Sequence, residues 1–333
     1  MNETITSVSR FLLENDNYAI GIHANPDGDC FGSACGLAGA LKKLGKKVLI
    51  LSPNPIPKRL QFLNYSDIEV LECREGYEKI KDERKTFITE DVASDHLLGE
   101  LSDVFISNNK YAIDHHEKNT ISAEKLYLES TASATGEIIY KIICELCEWT
   151  SENLFNEKVA SSVFGAISSD TGCFKYGNTT PDTHIIAAKL IEKGAYSENI
   201  NYRLFDLKSP QQIACEGYAY GNIEMFEDGK ISFIYISDDL LSRIGATQSD
   251  TETISQIGRG IEGVQIAAFM RDKGEGAFKI SVRANSEADM SELCASFGIG
   301  GGHKKAAGCT IFADKPDKAK EMFLEKAKNY LES

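Results

Sequence analysis

The sequence predicts an α/β protein, with a doubly wound, mostly parallel sheet followed by a smaller α/β domain. In the first half of the chain, short apolar runs alternate with helical patterns. This alternation is typical of a parallel sheet covered by helices on both faces. A second group of apolar strands follows a polar, helical stretch near residue 200. The length of 333 residues is enough for two ordinary domains.

The first domain is predicted to open with an amphipathic helix that has Ile5, Val8, Phe11 and Leu12 on one face. Four strands with the sequences NYAIGIH, KKVLIL, KTFITED and KYAIDHH are expected at 17–23, 46–51, 85–91 and 110–116. Helices are expected at 30–44, 132–149, 153–168 and 182–194. In a doubly wound sheet the functional site lies at the carboxyl ends of the strands. The polar residues that end these strands are therefore candidates for one common site.

The second domain is predicted from strands at 231–237, 264–272 and 277–284 and from a final amphipathic helix. That helix starts at Pro316, a residue suited to a first helical turn. We place the first domain at 1–194, a linker with helical connections at 195–217 and the second domain at 218–333. The active site is expected in the cleft between the two domains.

Composition excludes several classes of protein. The net charge of −14 argues against a protein that coats long nucleic acid, which needs many cationic phosphate contacts. No apolar run approaches membrane-spanning length, and the N-terminal sequence lacks the pattern of a signal peptide. The nine cysteines are odd in number and form no regular framework, and the CxxC of Cys144 and Cys147 lies in a helical pattern. We therefore expect a cytoplasmic protein with reduced thiols.

The segment HANPDGDCFGS contains the first candidate site. His23, Asp27 and Asp29 follow an apolar strand in a very short span. Two carboxylates held close together repel each other, and a pair of divalent cations neutralises this repulsion. Carboxylate and imidazole are standard ligands of Mn²⁺, Zn²⁺ and Fe²⁺. The alternative is a polar turn in which Asp29 caps the next helix, and these residues alone leave both interpretations open.

The segment Asp114-His115-His116 is the second candidate site and also ends a predicted strand. Side chains alternate along a strand, so at most one of the two histidines faces the same way as Asp114. The natural division places one histidine on a metal and the other on a substrate.

Two further segments carry polar residues in unusual contexts. Asp170 ends an apolar helix, and a glycine loop is expected at 300–302, directly before His303. Consecutive glycines allow a ligand to approach the backbone and present N–H groups to an anion. The alternative for the glycines is a flexible linker.

Taken together, these motifs resemble the DHH phosphoesterase superfamily, and most of all the bacterial nanoRNases, also called oligoribonuclease and pAp phosphatases. The resemblance spans nearly the whole chain. It consists of six segments in the order of the family: HANPDGDCFGS, DVASD, IDHHEKN, SATGE, ISSDTGCFKYGNTTPDT and GGGHKKAAGC. Six such segments in order are far more specific than any one of them.

The resemblance implies a dinuclear site in which carboxylates and imidazoles hold both cations. The ligands are His23 and Asp27 for the first cation, Asp29, His115 and Asp170 for the second, and Asp91 as a bridge between them. Asp114 would orient His115, as carboxylates usually orient ligating imidazoles.

The resemblance also implies substrate contacts. His116 would contact the phosphate, and Asp91, His116 and His303 would take part in catalysis. The remaining implied substrate contacts are Asn178, Thr179, Arg283, Gly300, Gly301 and Gly302.

The bridging position departs from the family pattern. Family members often have an arginine a few residues after the bridging aspartate, and none follows Asp91 in DVASDHLL. Glu90 and Asp95 are competing carboxylates nearby. The choice of Asp91 rests on its place at the end of a predicted strand.

The implied cofactors are two Mn²⁺ ions, because hard oxygen ligands dominate and only two imidazoles contribute. Mg²⁺, Co²⁺ and Fe²⁺ are the alternatives. The implied activity is hydrolysis of short oligoribonucleotides to mononucleotides, with removal of the 3′-phosphate of pAp as a second reaction. The expected partners are short single-stranded RNA or small nucleotides such as pAp, with no long duplex and no membrane.

Two alternative functions stay open at this level. The first keeps the chemistry and takes linear or cyclic dinucleotides, such as pApA, pGpG or cyclic di-AMP, as substrates. The second is a catalytically inactive sensor that binds nucleotides, although a sensor does not need a full set of six ligands. An exposed edge strand would allow a homodimer, which nothing in the sequence requires.

Overall fold

The structure is a computed structural model that describes residues 2–83 and 85–331. The side chain of His303 lies outside the described part. The chain divides into two compact units, Met1–Leu207 and Lys208–Ser333. Much of the segment expected to link the domains, 195–217, is helical.

The first unit is built on a six-stranded sheet whose strands all run parallel. Its strands are β1 (Tyr18–Gly21), β2 (Val48–Ser52), β3 (Val70–Glu72), β4 (Thr86–Glu90), β5 (Asn109–Asp114) and β6 (Leu126–Leu128). Their order across the sheet is β3-β2-β1-β4-β5-β6. The strand order therefore reverses between β1 and β4. In doubly wound sheets, ligands bind outside the carboxyl ends of the strands at this reversal.

Helices cover both faces of this sheet. They are α1 (Ile5–Glu14), α2 (Gly28–Lys43), α3 (Cys73–Glu78), α4 (Ser102–Asn108), α5 (Thr135–Thr150), α6 (Glu157–Asp170), α7 (Pro181–Glu192) and α8 (Ser197–Asn201). Short 3₁₀ helices lie at Gln61–Leu63 and Asp95–Leu101, and a π-helical turn lies at Tyr202–Asp206. In β1, Tyr18 and Ile20 join the core under α2 and α5, whereas Ala19 joins the core under α4. Burial on both faces explains why the strand is apolar throughout.

Glycines of α2 line its contact with α6 and allow the two helix backbones to approach each other closely. A Cβ atom on Gly32 would lie 2.8 Å from the carbonyl oxygen of Ser162 and 2.9 Å from the amide nitrogen of Ala166. A Cβ atom on Gly28 would likewise collide with the side chain of Ser169, near the end of α6. The two helices therefore run antiparallel, and the start of α2 is held beside the end of α6.

The second unit contains a mixed six-stranded sheet. Its strands are β7 (Glu224–Phe226), β8 (Ile231–Ile236), β9 (Ile266–Asp272), β10 (Ala277–Ala284), β11 (Gly300–His303) and β12 (Ala306–Phe312). Their order is β11-β12-β10-β9-β8-β7, with β8 and β9 parallel and the other neighbours antiparallel. The helices are α9 (Pro210–Gly221), α10 (Asp238–Ile244), α11 (Ile254–Arg259), α12 (Met290–Ala295) and α13 (Pro316–Ala327), with 3₁₀ helices at Gln248–Thr251 and Lys328–Tyr330.

The predicted α/β class, with a parallel sheet and a smaller α/β unit, is confirmed. Two local expectations were wrong. The glycines 300–302 belong to strand β11, which pairs with β12, and do not form a loop. The strand expected at 110–116 ends at Asp114, so both histidines lie beyond it. Among the described helices, none combines the length and the apolarity needed to cross a membrane.

We predict that Gly32→Ala lowers the free energy of unfolding by about 1–3 kcal/mol, because the new methyl group meets backbone atoms of α6 that cannot turn away. The measurement is urea-induced unfolding. The control is Gly217→Ala at an exposed position of helix α9, where a Cβ atom meets nothing within 4 Å. The control should stabilise the protein by about 0.5–1 kcal/mol. Equal effects of the two substitutions would contradict the close helix contact.

Candidate metal centre

The turn between β1 and α2 places two of the predicted ligands. The Nδ1 atom of His23 lies 2.9 Å from the carbonyl oxygen of Ala24. Because a carbonyl oxygen only accepts, Nδ1 carries a proton, which leaves Nε2 as the nitrogen that could bind a metal. That Nε2 lies 3.8 Å from Oδ1 of Asp27 and 3.7 Å from Oδ2 of Asp91. Asp27 is also the N-cap of α2 and accepts a hydrogen bond from the amide of Cys30.

Asp29 is buried in the first turn of α2, and the N-terminus of α5 holds its carboxylate. The backbone amides of Thr135 and Gly136 donate to its two oxygens at 2.7 and 3.0 Å, and Ser33 donates its hydroxyl at 3.0 Å. Helix α5 has no side-chain cap of its own. Asp29 therefore satisfies the free amides of α5 rather than capping its own helix, where Asp27 takes that place.

Asp91 lies between the imidazoles of His23 and His115. It follows β4 in a left-handed backbone conformation with φ of 57°. Its Oδ2 atom lies 3.7 Å from Nε2 of His23, and its Oδ1 atom lies 3.6 Å from Nε2 of His115. The hydroxyl of Thr135 donates to Oδ1 at 2.9 Å. This geometry suits a bridging ligand between two cations.

The competing carboxylates near Asp91 have other surroundings. Asp95 accepts hydrogen bonds from the amide and the hydroxyl of Ser122 at 2.8 and 2.6 Å. Glu90 is fully buried, its oxygens have no hydrogen-bond partner among the described residues, and it lies near Cys35. Burial, with Asp91 nearby, raises the pKa of Glu90 well above its usual range, which favours the neutral acid. The choice of Asp91 is thereby favoured over both neighbours.

His115 and Asp170 complete a second group of ligand atoms with Asp29. The Nδ1 atom of His115 lies 3.2 Å from the carbonyl oxygen of Ala132, so Nε2 is again the nitrogen that could bind a metal. That Nε2 lies 3.7 Å from Oδ2 of Asp29 and 3.9 Å from Oδ2 of Asp170. Each of these three residues offers one donor atom within 4.8 Å of the others.

Asp114 does not orient the imidazole of His115, which corrects that expectation. Its carboxylate is buried and accepts from Nδ1 of His116 at 2.8 Å and from Asn119 at 2.6 Å. His115 donates to this carboxylate through its backbone amide and not through its ring. The hydrogen bond that His116 donates to Asp114 raises the pKa of His116 to about 9, so this half-exposed imidazole is a cation at neutral pH.

The carboxylates of this cluster repel one another when no cation is bound. Burial, followed by the charges of Asp91 and Asp170, raises the pKa of Asp29 well above its usual range. Burial, followed by Asp27, raises the pKa of Asp91 to about 7. The Nε2 atoms of two imidazoles face these crowded oxygens, so the donor set fits a pair of divalent cations.

The other predicted site residues have varied surroundings. Asn178 donates to the carbonyl oxygens of Ser133 and Asp170 at 2.9 and 3.2 Å. The hydroxyl of Thr179 is buried without a hydrogen-bond partner among the described residues. In the second unit, Arg283 lies on β10 and Gly300–Gly302 on β11, where Gly302 has a φ of 144°. The predicted role of the His303 side chain lies outside the described residues.

Sequence reasoning missed three residues that hold or adjoin this cluster. Thr135 and Gly136 fix the carboxylates of Asp29 and Asp91. Cys30 places its sulfur beside His23 and Asp91. Thr135 and Gly136 lie in SATGE, one of the six matched segments. The Thr-Gly pair at the start of a helix is the signal that could have identified them.

Comparison with known proteins decides the family. The family model described as the DHH family N-terminal domain matches residues 17–167, and the DHHA1 domain matches residues 230–333. The chain carries a DHH-family N-terminal domain followed by a DHHA1 domain.

Two relatives of this DHH-family protein share its length. Both are named bifunctional oligoribonuclease and PAP phosphatase NrnA. The protein from Thermus thermophilus is 28% identical over 94% of this chain and 89% of its own length. The one from Bacillus subtilis is 27% identical over 94% of this chain and 95% of its own.

Solved structures show the same fold. An exopolyphosphatase-related protein from Bacteroides fragilis has a TM-score of 0.89 at 24% identity, over 98% of this chain and 96% of its own. The exonuclease RecJ bound to manganese has a TM-score of 0.53 at 15% identity, over 99% of this chain and 94% of its own.

We predict that Asp114→Asn lowers the pKa of His116 from about 9 toward the ~6.5 of a free imidazole in the metal-free DHH-family protein. The sign follows because loss of the negative charge at 2.8 Å destabilises the imidazolium. Histidine NMR titration measures the change. Asp95→Asn, whose carboxylate bonds Ser122, is the control and should leave the pKa of His116 unchanged. An unaltered titration in Asp114→Asn would disprove the pairing.

Proposed function

We propose that this DHH-family protein is a metal-dependent phosphoesterase. Its substrates in this proposal are short oligoribonucleotides, degraded to mononucleotides, and pAp, which loses its 3′-phosphate. The observation that carries the proposal is the meeting of two imidazole Nε2 atoms with four aspartates at the carboxyl edge of the sheet. The names of two relatives that match nearly the whole chain support the choice of substrates.

The proposed ligands form two positions that share Asp91. His23 and Asp27 belong to the first position, and Asp29, His115 and Asp170 belong to the second. Mn²⁺ is the metal proposed to activate the enzyme. When bound, two divalent cations supply a hydroxide nucleophile near neutral pH and neutralise charge on the phosphoryl oxygens.

The protein's own groups hold this arrangement in place and bind the substrate. The amides of Thr135 and Gly136 fix the carboxylate of Asp29, and backbone carbonyls fix the rings of both ligating histidines. His116, protonated through its bond to Asp114, is the cation proposed to contact the substrate phosphate. The proposed contacts from the second unit are Arg283, Gly300–Gly302 and His303.

The charge of the chain supports a short substrate. With a net charge of −14, a long polyanion would be repelled wherever it left the metal centre. A mononucleotide or a very short oligonucleotide has little charge beyond the phosphate that the cations neutralise.

We predict that, with Mn²⁺, the protein cleaves an RNA trinucleotide and pAp but acts poorly on a long RNA strand. Chromatography of the products measures this, with pApA, pGpG and cyclic di-AMP tested alongside. A clear preference for a dinucleotide would replace the proposed substrate and keep the chemistry. Absence of turnover on every substrate would contradict the proposed enzymatic activity. If nucleotides also raised the thermal stability of the protein, the result would favour a nucleotide sensor.

We predict that Asp91→Ala reduces turnover by more than the roughly 10–100-fold that loss of an outer partner of a metal ligand costs. The physical reason is that Asp91 contacts both imidazoles of the cluster. Metal content, measured by atomic emission after dialysis, should fall with activity. The matched control is Asp95→Ala, which removes a carboxylate four residues away that bonds Ser122. Equal losses in the two variants, or near wild-type turnover in Asp91→Ala, would refute the assignment of Asp91.

A further inference from the structure

We propose that Cys30 is a thiolate ligand of the first cation, so that the two metal positions differ in chemistry. The inference rests on the proposed function, because it requires the two-cation centre. It adds a residue to the ligands proposed above, and it bears on which metal the first position selects.

The geometry places the sulfur of Cys30 among the ligands of the first position. One donor atom each of His23, Cys30 and Asp91 lies within 4.8 Å of the other two. Donors that share one metal at about 2.0–2.3 Å cannot be more than about 4.4 Å apart. The three atoms therefore need only a small inward movement to reach a common ion.

Helix α2 fixes the position of this sulfur. Cys30 lies in the first turn of α2, where its amide donates to the capping carboxylate of Asp27 at 3.0 Å. Its side chain is fully buried, so it faces the interior beside the cluster and not solvent. The same turn thus carries Asp27, Asp29 and Cys30 toward one edge of the sheet.

The other cysteines lack this environment. Nine cysteines are free, and among the described residues only Cys30 joins a group of potential metal ligands. Cys35 is equally buried on the same helix and lies near the buried Glu90 instead. Cys35 is therefore a matched control for the burial of a thiol in α2.

A thiolate changes the metal preference of the first position. Soft sulfur ligands favour Zn²⁺, Fe²⁺ and Co²⁺ over Mn²⁺ and Mg²⁺, whereas the second position has only oxygen and nitrogen donors from Asp29, His115 and Asp170. On binding, the S–H bond of Cys30 breaks, its proton passes to the buffer and the sulfur lone pair binds the metal. We expect a borderline-soft ion in the first position and a harder ion in the second.

The test is addition of Co²⁺ to the metal-free full-length protein, followed by absorption spectroscopy. Cobalt bound by nitrogen and oxygen gives visible d–d bands, and a cobalt–thiolate bond adds a sulfur-to-cobalt charge-transfer band in the near ultraviolet. We expect that band to saturate with one of the two cobalt ions. It should be lost in Cys30→Ala and in Cys30→Ser, and it should persist in Cys35→Ala.

A competition experiment gives a second readout. The preference of the wild-type protein for Zn²⁺ over Mn²⁺ should fall by at least about tenfold in Cys30→Ser, since the oxygen that replaces sulfur is a harder donor. Circular dichroism verifies that each variant is folded. If neither Cys30 variant folds, the wild-type and Cys35→Ala spectra still decide whether a cobalt–thiolate bond exists.

The possible results separate this inference from the proposed function. Visible cobalt bands without a charge-transfer band in the wild-type protein would leave the metal centre intact and reduce Cys30 to a packing residue, which overturns the inference. A band that survives in a folded Cys30→Ala protein would overturn it as well. If the protein bound no cobalt at all, the result would contradict both the proposed metal centre and the proposed function.

Discussion

Mutual repulsion between buried carboxylates governs the chemistry of the cluster at the edge of the parallel sheet. Four aspartates approach two imidazoles at one edge of the parallel sheet, and burial raises the pKa of Asp29 and Asp91 when no cation is present. The fold places them there because β1 and β4 are neighbours where the strand order reverses, so the residues after both strands reach one crevice. Divalent cations relieve the repulsion between the carboxylates, and the proposed function rests on this need for bound cations.

Packing far from the cluster determines whether these groups meet. The glycines of α2 allow α6 to approach until Gly28 lies against Ser169, and this contact brings Asp29 close to Asp170. The N-terminus of α5 then supplies two amides to Asp29. The ligand set therefore depends on the contacts of three helices as much as on the loops that carry the ligands.

Much of the fold and most of the cluster could be predicted from the sequence. Apolar runs such as YAIGI identify strands that are buried on both faces, and the polar residues after them mark the edge where ligands bind. The short edge strands β3, β6 and β7 escaped prediction because three residues are too few to show a periodicity. The glycines 300–302 were expected to form a loop that a ligand could approach. They pair with β12 instead, although glycine has low strand propensity. The hydrogen bond from His116 to Asp114 depends on side-chain direction after the strand ends, which spacing does not encode.

The most direct measurement is X-ray diffraction from a crystal grown with Mn²⁺, with data collected at a wavelength where manganese scatters anomalously. We expect two anomalous peaks about 3.5–4 Å apart. One lies between His23 and Asp91, and the other lies among Asp29, His115 and Asp170. Peaks located elsewhere, or their absence from this edge of the sheet at saturating Mn²⁺, would contradict the account.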